Sequence, residues 1–316
     1  MTNDDRDMIA SSYIKEGHAK KSVLEVLGIS RSSFYYQTKG HGVKKGRPKS
    51  EYTYTRNGRQ ISNEKVMEDI KALLELEFVD YGYLKTTHWL RQKKDYRINP
   101  KKVYRLMKES DLLNKKVVRK RNKRNWVKEL LPPVKTEFEY LELDIKYVYV
   151  AGKNRNSLIL SVIDVKSRWV LGHYMSWKIR QDNLLGLFDQ IFAIYPMAKH
   201  FYVRNDNGSQ FEAARVQKYF ERHGVTQEFC KPATPEQNAH IESYHSIIEN
   251  VICQEYEFTT LQECRETFNR FIQFYNFERI HSGVGYQSPS EYLQEKDQDM
   301  RQYNLDEVLD CSLAQK

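Results

Sequence analysis

The sequence predicts an α/β protein, in which a mixed five-stranded sheet with flanking helices is preceded by all-α regions. The first observation is a change of pattern near residue 136. After it, runs of alternating Val, Ile, Leu and Tyr are typical of strands, whereas apolar residues before it are spaced as in short helices. The second is length: 316 residues, 40% of them apolar, are enough for two or three domains with hydrophobic cores.

Charge divides the chain at the same place. Residues 1–135 contain 32 Lys+Arg and 16 Asp+Glu, and residues 136–316 contain 19 and 26, so their net charges of +16 and −7 give the total of +9. A basic front half indicates a polyanionic partner, although a solvated basic surface is an equally open interpretation. The charge pattern therefore predicts that the front half binds nucleic acid and the back half carries the chemistry.

Residues 1–37 are predicted to be a helix-turn-helix DNA-binding region. In the string VLEVLGISRSSFYY, Val23, Val26 and Leu27 pack inward, a Gly-Ile-Ser turn follows, and a third helix begins after its serine cap. That helix presents its first residues to DNA; an ordinary small helical bundle is the alternative. The candidate DNA-binding residues are Ser30, Arg31, Ser32 and Ser33.

A basic linker and a second helical region follow. Residues 38–62 are rich in Gly, Lys and Arg with little periodicity, which predicts a linker. Residues 63–114 are predicted to be a second, helix-turn-helix-like DNA-binding region, in which Asn99 caps a helix that opens with Pro100. A helical spacer is the alternative. The candidate DNA-binding residues on that helix are Lys101, Lys102 and Arg105.

Residues 115–135 are predicted to be another basic linker. Seven of the ten residues from 115 to 124 are Lys or Arg, and such a run contacts phosphates without reading bases. The candidate DNA-binding residues in it are Lys115, Lys116, Arg119, Lys120, Arg121, Lys123 and Arg124.

Residues 136–296 are predicted to be the catalytic domain, and residues 297–316 a C-terminal tail. Three consecutive strands with short turns come first, and helices and strands then alternate. This is the order of a ribonuclease-H-like sheet, and it places the middle of the first strand beside the end of the fourth. The predicted strands are 137–152, 156–165, 167–177, 200–206 and 225–230, and the predicted helices are 181–195, 209–224, 235 to about 254, and 259–281.

Three acidic residues in this domain are the candidate catalytic and metal-binding residues. Asp144 lies inside the first strand, Asp206 ends the fourth, and Glu242 lies on the helix that Pro235 opens. Three carboxylates that converge would repel one another unless divalent cations lay among them, and oxygen ligands suit Mg²⁺ or Mn²⁺. Two such ions, about 3.5–4 Å apart, stabilise the attacking and leaving oxygens of a phosphoryl transfer.

The spacing of these acids, with 35 residues between Asp206 and Glu242, resembles the catalytic triad of the retroviral-integrase superfamily. Four strings narrow the resemblance to the OrfB-type transposases of bacterial insertion sequences. They are VIDVKSR at 162–168, NDNGSQF at 205–211, NAHIES at 238–243 and YNFERIHSGVGYQSP at 275–289. The last is the most specific, because a string of that length matches by chance only rarely.

The resemblance implies a DNA transposase that binds the ends of its insertion sequence, cleaves a strand to free a 3′-OH and joins it to target DNA. It implies two Mg²⁺ or Mn²⁺ ions per site, double-stranded element ends and target DNA as partners, and a homo-oligomer that bridges two ends. It places the protein in the bacterial cytoplasm, associated with the nucleoid. The alternatives are a ribonuclease-H-like nuclease and a domesticated DNA-binding regulator.

Some residues near the acids compete with them or depart from the family pattern. Asp164 is predicted to cap a turn. Glu142 shares the face of Asp144 and is therefore a rival to it, but a weaker one because it lacks the family match. Many family members carry Lys or Arg where this chain has Glu249, and Gln237 and Asn205 also depart from common family residues. These departures concern how DNA is held.

Arg279 and His281 have two interpretations, a buried network that locks the C-terminal helix to the catalytic core or a contact with substrate phosphates; the structural one is favoured. Four widely spaced cysteines argue against a zinc ribbon and for reduced thiols. No apolar run approaches ~18 residues and no signal peptide opens the chain, so no membrane partner is expected.

Overall fold

The computed structural model describes residues 3–38, 49–114, 134–231, 235–296 and 298. The chain forms two compact units, Met1–Glu51 and Tyr52–Lys316. The boundary between them lies within the predicted linker 38–62. Within the described ranges, no helix is both long and apolar enough to cross a bilayer.

The first unit contains three helices around a small apolar core. They are α1 (Asn3–Lys15), α2 (Lys20–Val26) and α3 (Arg31–Thr38). Ala10, Leu24 and Phe34 form its buried centre. Ser30 caps α3 as predicted, since its hydroxyl oxygen accepts a hydrogen bond from the Ser33 N–H at 3.0 Å.

The prediction that Val26 packs inward is wrong. Its side chain is 86% exposed, whereas Leu24 is buried and Val23 and Leu27 are partly buried. Residues two apart lie on opposite sides of an α-helix, so Val26 faces solvent when Leu24 faces the core.

The second unit begins with a helical region that also contains a small sheet. Its elements are β1 (Tyr52–Thr55), β2 (Gln60–Ser62), α4 (Asn63–Leu74), α5 (Tyr83–Lys93), β3 (Tyr96–Arg97) and α6 (Pro100–Glu109). Asn99 caps α6 as predicted, its side-chain oxygen accepting from the Lys101 N–H at 2.9 Å. One apolar core joins these elements; it contains Val66, Ile70, Leu90, Tyr96, Ile98, Val103, Leu106 and Met107.

Residues 52–62, predicted as part of a linker, form an antiparallel hairpin instead. The Tyr-Thr-Tyr-Thr sequence of β1 alternates aromatic and β-branched residues, and Gly58 supplies a φ of 86° in the turn. Tyr52 pairs with Ser62, and β3 pairs with the other edge of β1. The strands are short and their turn lies among charged residues, which hides them in the sequence. Residues 39–48 of the predicted linker lie outside the described residues.

A five-stranded sheet forms the centre of the second unit. Its strands are β4 (Tyr140–Val150), β5 (Arg155–Asp164), β6 (Val170–Ser176), β7 (Phe201–Asn205) and β8 (Val225–Phe229). Their order is β6-β5-β4-β7-β8; β4, β5 and β6 are antiparallel, and β7 runs parallel to both β4 and β8. This order confirms the predicted ribonuclease-H-like fold.

Helices flank the sheet. They are α7 (Gln181–Ile194), α8 (Ser209–Glu212), α9 (Ala214–Arg222), α10 (Ala239–Ile248), α11 (Leu261–Phe277) and α12 (Pro289–Gln294). The helix predicted over 209–224 is interrupted at Ala213, whose ψ of 131° is extended. The helix predicted from Pro235 has three parts, a 3₁₀ turn (Pro235–Asn238), α10 and a π-helical segment (Glu249–Cys253).

Buried contacts join the helical region to the segment after α11. The Arg279 guanidinium, 1% exposed, pairs with Asp80 at 2.6 Å, and the Ile280 N–H donates to the Tyr81 hydroxyl at 2.8 Å. The prediction that Arg279 belongs to a buried network is therefore confirmed, but its partner Asp80 belongs to the helical region, whereas the prediction placed the partner in the catalytic core. His281 is also buried, with its ring 4.5 Å from that of Tyr275.

Candidate active site

Parallel pairing of β4 and β7 brings two of the three acids together. Glu142 is the register partner of Arg204. Asp144 lies two residues further along β4, and Asp206 lies two residues beyond Arg204, just after the end of β7. The same register therefore sets Asp144 and Asp206 side by side at the edge of the paired region.

Glu242 reaches this place from the first turn of α10. The negative charge of Glu242 affects the pKa of Asp144. That pKa is raised to about 7, first by burial of the carboxyl group and then by the negative charges of Asp206 and Glu242. Asp206 and Glu242 are exposed, whereas Asp144 is partly buried. The structure thus gathers the three predicted acids into one electrostatically coupled group.

The donor chemistry of this group fits a hard divalent cation. Three carboxylates supply only oxygen ligands, and a cation among them would offset both the burial and the like charges that raise the pKa of Asp144. One oxygen of Asp144 accepts from the Ile145 N–H at 2.7 Å, and one of Asp206 from the Gly208 N–H at 3.0 Å. In the described part of the chain, no three His, Cys, Asp or Glu side chains lie as close as the ligands of one metal ion. The acids are neighbours without meeting at a single point.

His245 is a member of this site that the sequence prediction missed. Its Nδ1 lies 3.5 Å from Oδ2 of Asp144. Burial, and then the charge of Lys146, lowers the pKa of His245 to about 3, so the imidazole is neutral near pH 7 and the contact is not an ion pair. The available signal was its position three residues after Glu242, on the same helical face.

Glu142 is not a rival to Asp144. Its Oε2 accepts hydrogen bonds from the backbone N–H groups of His240 and Ile241, both at 2.9 Å, and its Oε1 lies 2.9 Å from Nδ1 of His240. These N–H groups open the helix that carries Glu242. The carboxylate of Glu142 is therefore occupied by the start of α10.

Glu249 also has a partner on β4. Its Oε2 lies 2.8 Å from Nζ of Lys146, two residues beyond Asp144. The acid at this departure from the family pattern is thus paired with a lysine of the neighbouring strand.

The structural interpretation of Asp164 is confirmed. Its Oδ2 accepts from the N–H and the hydroxyl of Ser167 at 2.7 and 2.6 Å, and its Oδ1 accepts from the Phe138 N–H at 3.1 Å. Burial raises its pKa to about 6. Asp164 closes the turn after β5 and takes no part in the group of three acids.

The two other residues that depart from the family pattern, Asn205 and Gln237, form hydrogen bonds with the backbone near the site. The Asn205 side chain donates to the carbonyl of Asp206 at 2.6 Å, and the Gln237 side-chain oxygen accepts from the Lys231 N–H at 2.7 Å. Arg204, which the sequence prediction did not single out, donates to the Gln237 carbonyl at 2.6 Å. All three stabilise the segments that precede the second and third acids.

The candidate DNA-binding residues of α3 are exposed at its start. The Ser30 hydroxyl is used as the helix cap, and Arg31 lies 5.8 Å from the ring centre of Tyr35. Ser32 and Ser33 are exposed on the first turn.

The candidates of α6 differ in exposure. Lys101 is exposed, whereas Lys102 donates to the Tyr52 carbonyl at 2.6 Å and Arg105 is half-buried. The remaining candidates lie outside the described residues: Lys115, Lys116, Arg119, Lys120, Arg121, Lys123 and Arg124.

The sheet order and its helices define a class of protein, the ribonuclease-H-like fold. Residues 135–235 and residues 223–289 match two family models, each described as an integrase core domain. Residues 62–122 match a family model described as an HTH-like domain.

Proteins of bacterial insertion elements are similar to this chain. A protein of insertion element IS407 from Burkholderia multivorans is 30% identical over 218 residues, covering 67% of this chain and 75% of that one. InsK of Escherichia coli, named as a transposase for IS150, is 24% identical over 289 residues, or 88% and 95% of the two chains. The chain belongs to the integrase-superfamily transposases of bacterial insertion elements, of OrfB type.

Two further comparisons show how much of this chain and of its relatives the similarity covers. A protein of insertion element IS476 from Xanthomonas euvesicatoria is 28% identical over 215 residues, which are 67% of this chain and 60% of that relative's length. The catalytic core domain of BIV integrase aligns with 51% of this chain and 97% of its own, at 16% identity and a TM-score of 0.39.

Proposed function

We propose that the protein is a DNA transposase that binds the ends of its insertion sequence and catalyses divalent-metal-dependent strand cleavage and strand transfer. Asp144, Asp206 and Glu242 are the proposed catalytic and metal-binding residues. The observation that carries this proposal is the register of β4 and β7, which sets the two aspartates side by side while the charge of Glu242 acts on Asp144.

The proposed chemistry is two successive phosphoryl transfers. Water attacks a phosphodiester at the element end, a P–O bond forms, and the bond to the 3′ oxygen breaks to leave a 3′-OH. The oxygen of that hydroxyl then forms a bond to a target phosphorus while the bond from that phosphorus to a target 3′ oxygen breaks; the hydroxyl proton passes to solvent, and the leaving 3′ oxygen takes a proton from solvent. Two Mg²⁺ or Mn²⁺ ions bound by the acids would stabilise charge on the attacking and leaving oxygens.

The three acids differ in what they bring to this site. Asp206 and Glu242 are exposed and accessible to a DNA strand and its counterions. Asp144 is partly buried, so its ionised form depends on a nearby positive charge. His245, whose imidazole is neutral near pH 7, lies 3.5 Å from Asp144 and is proposed to limit the positions that the carboxylate can adopt.

Double-stranded DNA is the proposed partner, held mainly outside the acidic site. The start of α3 is proposed to enter the major groove, and Lys101, the exposed cation of the three α6 candidates, is proposed to contact phosphate. Lys102 and Arg105 are proposed to support that contact, and the basic run 115–124 to bind phosphates without reading bases. A homo-oligomer is proposed to bridge two ends.

Asp206→Asn tests the proposal, because it preserves size and removes one carboxylate charge. We expect nicking and joining of a labelled element-end duplex to fall by orders of magnitude while binding of that duplex persists, since the phosphate contacts lie elsewhere. Asp182→Asn, at an exposed acid of α7 that pairs with Arg215, is the matched control and should retain activity.

The same assay separates the alternatives. Activity should appear with Mg²⁺ or Mn²⁺ and be weak with Ca²⁺, whose coordination is larger and looser. Undiminished joining by Asp206→Asn would overturn the catalytic assignment. Cleavage of RNA–DNA hybrids without joining would identify a ribonuclease-H-like nuclease, and specific binding without cleavage a DNA-binding regulator.

A further inference from the structure

Two oppositely charged residues lie side by side just before the two aspartates. Glu142 and Arg204 are register partners on β4 and β7, and their side chains are 2% and 7% exposed. Each stands two residues before an aspartate, Asp144 or Asp206. Because strand side chains alternate, Glu142 is on the same face of the sheet as Asp144.

Both residues bind the backbone at the start of the helix that carries Glu242. Glu142 accepts from the N–H groups of His240 and Ile241, the second and third residues of α10. Arg204 donates to the carbonyl of Gln237, two residues before the helix begins. The carboxylate of Glu142 thus binds N–H donors, and the guanidinium of Arg204 binds a carbonyl acceptor, in the same short segment.

Glu142 supplies a helix cap that the local sequence does not. Asn238 is the residue at the N-cap position of α10, and asparagine is a favourable cap, yet its side chain makes no capping hydrogen bond. A carboxylate is especially stabilising at this end of a helix, where unpaired N–H groups carry partial positive charge. The cap of α10 is therefore provided by β4.

Arg204 is itself held by further contacts. Its second guanidinium nitrogen donates to Glu228 of β8 at 2.7 Å, and the same carboxylate accepts from the Tyr140 hydroxyl. The guanidinium also lies 4.8 Å from the ring centre of Tyr140. Arg204 consequently connects the start of α10 to three strands of the sheet.

We propose that Glu142 and Arg204 are positioning residues that set the separation between Glu242 and the two aspartates. Glu242 directly follows Ile241, so a shift at the capped end of α10 moves its carboxylate relative to both strands. This inference rests on the proposed function of the three acids. It assigns Glu142 and Arg204 no contact with substrate.

The first test is kinetic and uses the full chain with Glu142→Gln and with Arg204→Met. At saturating element-end DNA we expect the rate of strand transfer to fall about 10–100-fold, as for other residues that orient metal ligands, with little change in the DNA concentration for half-maximal rate. The Mn²⁺ concentration for half-maximal rate should rise, and excess Mn²⁺ should restore part of the activity.

The second test needs neither metal nor activity. Amide hydrogen exchange at His240 and Ile241 should be at least about 10-fold faster in Glu142→Gln than in the wild type, because the buried acceptor has lost its charge and one of its two oxygens. Amides of β5 should exchange as in the wild type. If Arg204→Met fails to fold, Arg204→Lys replaces it in the kinetic test. Because lysine keeps one donor for the Gln237 carbonyl, its rate of strand transfer should fall by less than the roughly 10–100-fold expected for Arg204→Met.

Two residues of α11 provide matched controls. Glu263 accepts from the Thr259 N–H at 2.9 Å at the start of that helix, and Arg265 donates to the Met175 carbonyl at 2.9 Å. Glu263→Gln and Arg265→Met should therefore leave strand transfer within about twofold of wild type and exchange at His240 unchanged.

The outcomes separate this inference from the proposed function. Wild-type strand transfer or unchanged exchange at His240 and Ile241 in Glu142→Gln would overturn the positioning role. So would a lost rate with an unchanged Mn²⁺ requirement, which would place Glu142 in the chemistry itself. If Asp206→Asn remains active, the function of the acids is wrong, whatever the exchange experiment shows.

Discussion

Glu142 and Asp144 are acids on the same face of β4, and their surroundings give them different roles. Glu142 accepts hydrogen bonds from two backbone N–H groups of α10. Asp144 accepts one hydrogen bond, from the N–H of Ile145, and is exposed to the negative charges of Asp206 and Glu242. A buried carboxylate is stable where donors satisfy it and unfavourable where like charges face it. Asp144 is therefore the acid whose ionised form requires a nearby cation.

In the metal-free protein, we expect Asp144→Asn to be more stable than the wild type at pH 8. The pKa of Asp144 is raised from 3.8 to about 7, so the folded state holds its proton more tightly than the unfolded state. That stabilisation is fully present below pH 3.8 and is lost as the pH rises through 7. The substitution removes this loss, which for about three pKa units is at most about 4 kcal/mol.

Urea unfolding in the presence of a chelator, between pH 3.5 and 8, measures this effect. The stability difference between Asp144→Asn and wild type should grow up to about pH 7 and then level off. Asp182→Asn, at an exposed acid, should show no such trend. A difference for Asp144→Asn that is independent of pH would contradict the raised pKa.

At the scale of elements, residues along β4 contact α10 and its π-helical continuation at regular intervals. Alternate strand residues contact successive turns of the helix and its π-helical continuation: Glu142 at the start, Asp144 at His245, and Lys146 at Glu249. Two residues of strand advance by about 6.8 Å and four residues of helix by about 6 Å, so these steps stay in phase. The contact of Asp144 with His245 therefore lies between the contacts made by two charged residues, Glu142 and Lys146.

Arg279→Met should lower the free energy of unfolding by about 3 kcal/mol, because it leaves Asp80 without its buried partner. Arg270 also joins α11 to the helical region, through Glu77, but both side chains of that pair are about half exposed. Arg270→Met should therefore cost only about 0–1 kcal/mol. Chemical unfolding of the two variants measures the difference, and equal losses would show that burial of the Arg279 pair is not what matters.

Helix α3 offers a test of base recognition. Arg31→Ala should cost roughly 1–3 kcal/mol on the cognate element end and far less on random duplex, if Arg31 contacts a guanine. Lys21→Ala, at an exposed residue of α2, is the control. Binding titrations at fixed salt measure both, and equal losses on the two duplexes would make Arg31 a phosphate contact.

At the scale of the whole molecule, the helical region belongs with the sheet. Residues 52–114 and the five-stranded sheet lie in one compact unit, and contacts within that unit include the buried pair of Arg279 and Asp80. The division of charge at residue 135 therefore does not mark a division between separately folded parts.

A chain truncated to residues 52–316 should accordingly stay folded, whereas residues 136–316 alone should be strongly destabilised through loss of the contacts made by Asp80 and Tyr81. The longer piece should still bind DNA with a clear salt dependence but lose discrimination between element ends and random duplex. Thermal unfolding and salt titrations of binding test this. Cooperative unfolding of residues 136–316 at the temperature of the full chain would contradict it.

The sequence by itself determined the strand order, the helix caps at Ser30 and Asn99, and the placement of Asp144 and Asp206. The strands and caps follow from local periodicity and turn residues, and the placement of the two aspartates follows from the strand order that these elements predict. The choice of Glu242 as the third acid rested also on the resemblance of its spacing from Asp206 to that of the retroviral-integrase superfamily.

Only the tertiary structure decided which side chains meet. The cap that Glu142 provides for α10, the pairing of Lys146 with Glu249 and the partner of Arg279 join residues about 100 to 200 positions apart. The hairpin at residues 52–62 likewise depends on pairing with β3. Local pattern sets a residue's face, but the charge, hydrogen-bond partner and burial that define its role come from distant elements packed against that face.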